Sequence, residues 1–164
     1  LDAVGVTNEV LAWTTHPQQI DGHFNRTTPL RHMIVKHADQ SFKSCQRRFS
    51  DLALFDYPAD NVDGESILWG ARRLAKRARR CGKAPLLIVF SDGEPLAVSE
   101  NKDDLINHLK MSVRQIERAG VRVFGIGLQT DCVAEFYPKW ARIDNLTDLT
   151  PTLYDLLRSE IRKS

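Results

Sequence analysis

Asp92 is the residue of this sequence with the most specific chemical potential. It follows the apolar run of residues 85–90 and precedes Gly93, beside which another backbone can approach closely. A carboxylate fixed at the end of a rigid, buried strand is a suitable ligand for a hard cation such as Mg2+. Asp-Gly is also a common turn pair, so Asp92 is either a cation ligand or the first residue of a turn.

A second polar segment, residues 61–65, stands at the start of a predicted helix. Asn61 or Asp63 could cap that helix by accepting hydrogen bonds from its free backbone N–H groups. Alternatively, one of the two shares a cation with Asp92, which would bring the helix start and the strand end together. The sequence leaves both interpretations open.

The densest cluster of charge in the sequence is basic and falls on one predicted helix. Its side chains lie mostly opposite the apolar stripe, so they form either a solvated face or a docking surface for an acidic partner. The cluster comprises Arg72, Arg73, Lys76, Arg77, Arg79, Arg80 and Lys83. The residues predicted to contact a partner are Arg72, Arg73, Lys76, Arg77, Arg80 and Glu94.

Histidine and cysteine form no metal-binding pattern in the sequence. Four histidines fall within one stretch, but none shows the i, i+4 spacing of a helical metal pair, so we expect polar loop residues. These are His16, His23, His32 and His37. The cysteines are far apart and form no C-x-x-C pair, which indicates reduced, structural thiols. They are Cys45, Cys81 and Cys132.

The sequence lacks the common motifs for nucleotide binding and nucleophilic catalysis. It contains no G-x-S-x-G elbow and no Walker loop, and the glycines of residues 125–127 lack the third glycine of G-x-G-x-x-G. A haloacid-type phosphatase would need Asp-x-Asp and a positioned lysine, whereas Asp92 is followed by Gly93 and Glu94. We therefore expect no independent active site.

The elements that must position these residues alternate between strands and helices. The predicted strands are residues 9–15, 30–36, 85–90, 121–128 and 140–143, and the predicted helices are residues 41–55, 64–80, 101–119, 133–137 and 147–162, with a loop at 16–29. This order predicts a single α/β domain with an open, mostly parallel sheet and helices on both faces. Ligands bind such sheets at the carboxyl ends of the strands, where Asp92 lies.

Length and composition indicate one soluble domain. The chain has 164 residues, of which 42% are hydrophobic and 27% charged, and its net charge of +2 gives no general argument for nucleic acid or anionic membranes. It has no apolar run long enough to cross a bilayer and no export signal. We expect a cytoplasmic protein without a nucleic-acid or membrane partner.

Taken together, five segments resemble von Willebrand factor A-type (vWA) domains, and more closely the C-terminal domains of CobT-type cobaltochelatase subunits. They are Glu-Val-Leu-Ala-Trp-Thr-Thr at 9–15, Leu-Arg-His-Met-Ile-Val-Lys-His-Ala-Asp at 30–39, Asn-Val-Asp-Gly-Glu-Ser-Ile-Leu-Trp at 61–69, Leu-Ile-Val-Phe-Ser-Asp-Gly-Glu-Pro at 87–95 and Val-Phe-Gly-Ile-Gly at 123–127. The resemblance spans nearly the whole chain in the family's order and implies a vWA/Rossmann-like fold.

The resemblance implies a partial metal-ion-dependent adhesion site for Mg2+. That site joins an Asp-x-Ser-x-Ser loop after the first strand, a later threonine and an aspartate after the fourth strand. Asp92 matches the last of these, Asn61 falls near the threonine position with Asp63 beside it, and the Asp-x-Ser-x-Ser loop is missing.

The resemblance further implies that the family's first strand, which lies centrally between the second and fourth, is absent from residues 1–164. Residues 9–15 and 85–90 would then face a gap of about 9 to 10 Å with unpaired backbone groups. We therefore expect a fragment or a split-gene product that is N-terminally incomplete and unstable alone.

The function implied by the resemblance is that of a non-catalytic adaptor. Its partners would be an AAA+ ATPase subunit and a large chelatase subunit, which together insert Co2+ into a corrin-type tetrapyrrole. A vWA module that helps an AAA+ ATPase to activate another metalloenzyme is the first alternative. The second is a metal-dependent phosphohydrolase that uses Asp63, Glu65, Asp92 and Glu94.

Overall fold

The computed structural model describes residues 6–15, 30–52, 61–82, 84–97 and 101–161. The chain divides into two compact units. We name them the hairpin unit, residues 1–62 and 97–100, and the sheet unit, residues 63–96 and 101–164. The prediction of one N-terminally incomplete domain over residues 1–164 stays a prediction.

In its described residues, the hairpin unit contains two antiparallel strands and one helix. β1 (Val10–Thr15) pairs with β2 (Leu30–Lys36), and α1 (Phe42–Leu52) packs against β2. Both strands confirm predictions from the sequence, which rest on the strand-forming residues of 9–15 and on the loose alternation of 30–36. The predicted helix of residues 41–55 is confirmed as far as Leu52, and its last three residues lie outside the described part of the chain, as does the loop of residues 16–29.

The sheet unit is an α/β assembly around three parallel strands in the order β3-β4-β5. This confirms the predicted fold class, with helices packed against each strand of the parallel sheet. Its elements are α2 (Asp63–Cys81), β3 (Leu86–Ser91), α3 (Lys102–Arg118), β4 (Arg122–Leu128), α4 (Val133–Phe136), β5 (Trp140–Ile143) and α5 (Leu149–Ile161).

The core of the sheet unit forms around β4. Val123 and Ile126 point to opposite faces of the strand because side chains alternate along it, and both are at most 1% exposed, so β4 is covered on both faces. The apolar stripe predicted for α3 is buried in full. It consists of Leu105, Leu109, Val113 and Ile116.

β3 is more exposed than its uninterrupted apolar sequence predicts. Only Val89 of this strand is buried, and Phe90 is 42% exposed. Within the described residues β3 pairs only with β4, so it lies at the edge of its sheet, where side chains have fewer neighbours. The central strand predicted beside β3 stays a prediction.

The helix ends follow local chemistry. Gly82 and Gly120, the predicted stops of α2 and α3, have φ values of +62° and +80°, which glycine adopts at little cost. At its start, α3 is capped by Asn101, whose side-chain oxygen accepts a hydrogen bond from the backbone N–H of Asp103 at 2.8 Å. None of the described helices combines the length and the apolar composition that a bilayer-spanning helix needs.

Candidate functional site

The carboxyl ends of the three parallel strands meet at one edge of the sheet. Ser91 at the end of β3 pairs with Gly127, and Leu128 at the end of β4 pairs with Ile143 at the end of β5. The segments that follow these strands therefore emerge side by side. Asp92 stands at this edge, as the sequence predicts.

The turn that holds Asp92 is formed by the hydroxyl of its neighbour. Ser91 Oγ donates a hydrogen bond to the carbonyl oxygen of Gly93 at 2.8 Å and accepts one from the Gly93 N–H at 3.4 Å. Asp92 itself is exposed, and its carboxylate forms no hydrogen bond or ion pair with the described residues. Asp92 thus occupies the turn without supplying its hydrogen bonds, and its charge is available at the surface.

Glu94, predicted as a partner contact, has a partner within the chain. Its carboxylate forms an ion pair with Lys102 at the start of α3. The hydrogen bond and the charge of Glu94 raise the pKa of the Lys102 amine. This pair ties the segment after β3 to the first turn of α3.

A second charged cluster at the same edge was missed from the sequence. Arg142 on β5 forms ion pairs with Asp131, which follows β4, at 2.8 Å and with Asp144, which follows β5, at 2.7 Å. Its hydrogen bonds to the two carboxylates raise the pKa of the Arg142 guanidinium, so the side chain stays charged. The rule that ligands bind at carboxyl strand ends points to both aspartates. The bridge between them depends on the register of β4 and β5, which the sequence does not reveal.

Asp63 lies at the first residue of α2 and is buried, with 4% of its surface exposed. The helix start is tightly packed, because a Cβ added to Gly64 would lie 2.5 Å from Nδ1 of His108. Asp63 also interacts electrostatically with Tyr137, whose hydroxyl pKa is raised first by burial and then by this charge. A negative charge in the first turn of a helix is favourable, so Asp63 suits the start of α2, and its predicted cation binding stays a prediction.

The predicted Mg2+ site is not complete within the described residues. Among them, no group of three histidine, cysteine, aspartate or glutamate side chains is placed to hold a metal ion. Asn61 belongs to the hairpin unit, and its sharing of a cation with Asp92 or Asp63 stays a prediction. Of the two predicted carboxylate ligands, Asp92 is exposed and Asp63 is buried, so the described residues do not by themselves fit the ion.

The comparison with known protein families decides the family. The model for the "Cobalamin biosynthesis protein CobT VWA domain" matches residues 1–162. The chain belongs to the CobT VWA domain family. The resemblance inferred from the five sequence segments is thereby confirmed. No solved structure matches the chain.

Gly125 in the middle of β4 and Gly127 near its end serve packing in this CobT VWA domain. A Cβ added to Gly125 would overlap the ring of Tyr137, and one added to Gly127 would overlap the carbonyl oxygen of Thr130. The segment after β4 therefore folds back onto the strand where glycine leaves room. This accounts for the Gly-Ile-Gly sequence without a nucleotide.

The basic cluster of the CobT VWA domain lies on α2. Arg72, Lys76, Arg77, Arg79 and Arg80 are exposed, while Arg73 is half-buried. The guanidinium carbon of Arg73 lies 5.4 Å from the ring centroid of Trp69, within the range of a cation–π interaction. Lys83 lies outside the described residues.

The histidines and cysteines of the CobT VWA domain occupy varied positions. His32 lies within β2 rather than in a loop, and burial lowers its pKa. Nδ1 of His37 lies 3.9 Å from Oε1 of Glu9. His16 and His23 are outside the described residues. All three cysteines are free thiols, with Cys45 buried, Cys132 half-buried and Cys81 exposed.

Proposed function

We propose that the chain is a non-catalytic adaptor domain of a CobT-type cobaltochelatase subunit and recognises partner subunits at the carboxyl edge of its sheet. The exposed carboxylate of Asp92 is the observation that carries this proposal. The hydrogen bonds of this turn are formed by Ser91 and Gly93, so the turn itself does not need an aspartate at position 92. Family membership supports a role in cobalamin biosynthesis.

The partners we propose are an AAA+ ATPase subunit and a large chelatase subunit. In this scheme the AAA+ subunit hydrolyses ATP, and Co2+ and a corrin-type tetrapyrrole are the substrates of the complex. The adaptor holds the subunits together and contributes no reacting group. Among the described residues of this edge, the carboxylates of Glu94, Asp131 and Asp144 are paired within the chain with Lys102 or Arg142, whereas that of Asp92 is not.

Mg2+ is part of the proposal as a shared ion. A divalent cation at Asp92 would let this carboxylate attract a second carboxylate that it would otherwise repel. Because the described histidine, cysteine and acidic side chains do not complete a site, we propose that the remaining ligands come from a partner subunit or from parts of the protein outside the described residues.

An Asp92→Asn variant of the full-length subunit tests this proposal. Asparagine keeps the size and the turn but removes the charge. The binding assay contains 5 mM Mg2+, roughly the concentration needed to saturate a weak site. Under this condition we expect the variant to bind the AAA+ subunit at least tenfold more weakly than the parent protein. The folded state and the partner's own ATP hydrolysis should be unchanged.

An Asp131→Asn variant is the matched control, because it removes a carboxylate at the same edge that is already paired with Arg142. It should bind like the parent protein. Equal binding by Asp92→Asn and the parent, with and without chelator, would contradict the proposal.

Two other results would favour the alternative functions. Normal assembly with an AAA+ ATPase that serves a different metalloenzyme would favour the vWA module that activates such an enzyme. Hydrolysis of a generic phosphoester by the isolated protein would favour the metal-dependent phosphohydrolase.

A further inference from the structure

We infer that the second half of α2, residues 72–81, is a docking surface for a compact acidic surface on a partner protein. We call it the basic half of α2. The inference rests on the proposed function only in taking that partner to be a subunit of the same complex. It does not depend on Asp92 or on a cation.

The packing of α2 divides the helix into two parts. All of its buried residues lie in the first nine positions, and none of residues 72–81 is buried. The first half packs into the sheet unit, as the close approach of Gly64 to His108 on α3 shows. Helices in proteins gain most of their stability from a packed face, and the basic half lacks a fully buried one. The buried residues are Asp63, Gly64, Ser66, Ile67, Gly70 and Ala71.

Five exposed cations of the basic half, Arg72, Lys76, Arg77, Arg79 and Arg80, have no acidic partner among the described residues. Six of its ten residues are basic and none is acidic. Like charges stand four residues apart at Arg72 and Lys76 and again at Lys76 and Arg80, a spacing that destabilises a helix. An acidic partner would relieve this repulsion.

The distribution of charge over the chain favours a compact partner over a long polyanion. Outside the basic half the chain has 17 basic and 21 acidic residues, so the remainder is net negative. The excess of positive charge is therefore confined to one short segment of the sequence, which suits a compact acidic surface better than a long duplex. Arg72 to Arg80 spans about 12 Å along the helix, which is the size of one acidic patch on a protein.

The residue types also suit carboxylates. Five of the six cations are arginine, whose planar guanidinium binds a carboxylate through two parallel hydrogen bonds. Arg73 is already oriented by the ring of Trp69. A surface of this kind increases the rate of association by attracting the partner before contact.

The test is a charge reversal in the full-length subunit, Arg77→Glu with Arg80→Glu. The control reverses two exposed arginines of the neighbouring helix α3, Arg114→Glu with Arg118→Glu. Association with the AAA+ subunit is followed by stopped flow over a series of salt concentrations. We expect the first variant to associate at least tenfold more slowly at low salt, with a flatter salt dependence, and the control to stay within twofold of the parent.

Three further measurements separate loss of charge from loss of structure and a protein partner from a nucleic acid. The neutral variant Arg77→Gln with Arg80→Gln should show an intermediate rate, and circular dichroism should show a helix content equal to that of the parent. A 20-residue polyglutamate peptide should compete with the AAA+ subunit, whereas a 20-base-pair DNA duplex should not. The same salt dependence in all variants, or competition by DNA but not by polyglutamate, would overturn the inference.

The Asp92→Asn variant in the same assay separates this inference from the proposed function. If association of the Asp92→Asn variant with the AAA+ subunit no longer depends on Mg2+ but still depends on salt, the result supports the proposed function alone. A flattened salt dependence in the α2 variant, with normal Mg2+ dependence, would support the docking surface alone.

Discussion

The ring of Tyr137 packs directly against the backbone of Gly125 in the middle of β4. A Cβ placed on Gly125 would lie only 3.0 Å from the Cβ of Tyr137 and would overlap Cγ and Cδ2 of its ring. Tyr137 is 2% exposed and follows α4, so this contact fixes the return of the chain from β4 to β5. The backbone N–H of Gly125 donates to the carbonyl of Lys139 at 2.9 Å in the same region.

Gly125→Ala should therefore destabilise the sheet unit by about 1–3 kcal/mol, the usual cost of overpacking a rigid core. The measurement is the free energy of unfolding from urea denaturation. Gly93→Ala is the matched control, because a Cβ there meets no atom within 4 Å. Equal losses of stability at the two positions would show that the contact with Tyr137 does not make position 125 more sensitive to a Cβ than position 93.

Tyr137→Phe should leave stability unchanged or raise it by up to about 1 kcal/mol. The Tyr137 hydroxyl is buried and has no hydrogen-bond partner among the described protein atoms, so its removal breaks no hydrogen bond among them. Burial raises the pKa of this hydroxyl well above 10, so ultraviolet absorption should show it un-ionised until the protein unfolds in alkali. A clear loss of stability in Tyr137→Phe would instead reveal a buried water or another partner for the hydroxyl.

Glu160→Gln should cost about 2 kcal/mol of stability. This carboxylate is buried near the end of α5 and joins Arg122 at 2.6 Å to Lys139 at 2.7 Å, so it ties the helix to the starts of β4 and β5. Asp131→Asn breaks an exposed ion pair with Arg142 and should change stability by less than about 1 kcal/mol. Thermal and chemical unfolding of both variants would measure the two losses of stability. Similar losses for Glu160→Gln and Asp131→Asn would contradict this prediction.

Acid should weaken the hairpin unit through His32. Burial lowers the folded-state pKa of His32 below its ordinary value of 6.5, so the unfolded chain binds the proton more readily. The stabilisation is present above pH 6.5 and is lost as the pH falls through the lowered pKa. NMR titration of the imidazole Cε1–H should give a midpoint below 6.5, and His32→Gln should reduce the loss of stability between about pH 7.5 and 5.5.

His37→Gln is the control for this titration, because His37 lies just after β2 and its side chain is 44% exposed. In this variant the midpoint of His32 should stay below 6.5. A midpoint for His32 at or above 6.5 would contradict the assignment.

The sequence predicted most of the fold because its periodicities are strong. The stripe from Leu105 to Ile116 has the spacing of a helix with one buried face, and that face is buried. On α2 the spacing of Ile67, Ala71, Leu74 and Ala78 predicts one apolar stripe along the helix, yet the structure buries only the first two and leaves Leu74 and Ala78 half-buried. Periodicity shows which face of a helix is apolar, but not how far along the helix the core extends.

The candidate site was harder to predict because it depends on contacts between distant segments. Asp92 could be found from its position after an apolar strand. The bridge from Arg142 to Asp131 and Asp144 needs the pairing of β4 with β5, and the pairing of Glu94 with Lys102 needs the path between β3 and α3. Neither spacing resembles a known motif.

The central position of β4 has a consequence for the order in which the sheet unit folds. Gly125 and Trp140, which pair across β4 and β5, are 15 positions apart, whereas Leu86 and Arg122, which pair across β3 and β4, are 36 apart. The shorter loop closes at a lower entropic cost, so β4, α4 and β5 should come together before β3 joins. Changes around Tyr137 should then slow folding, while changes in β3 should mainly hasten unfolding.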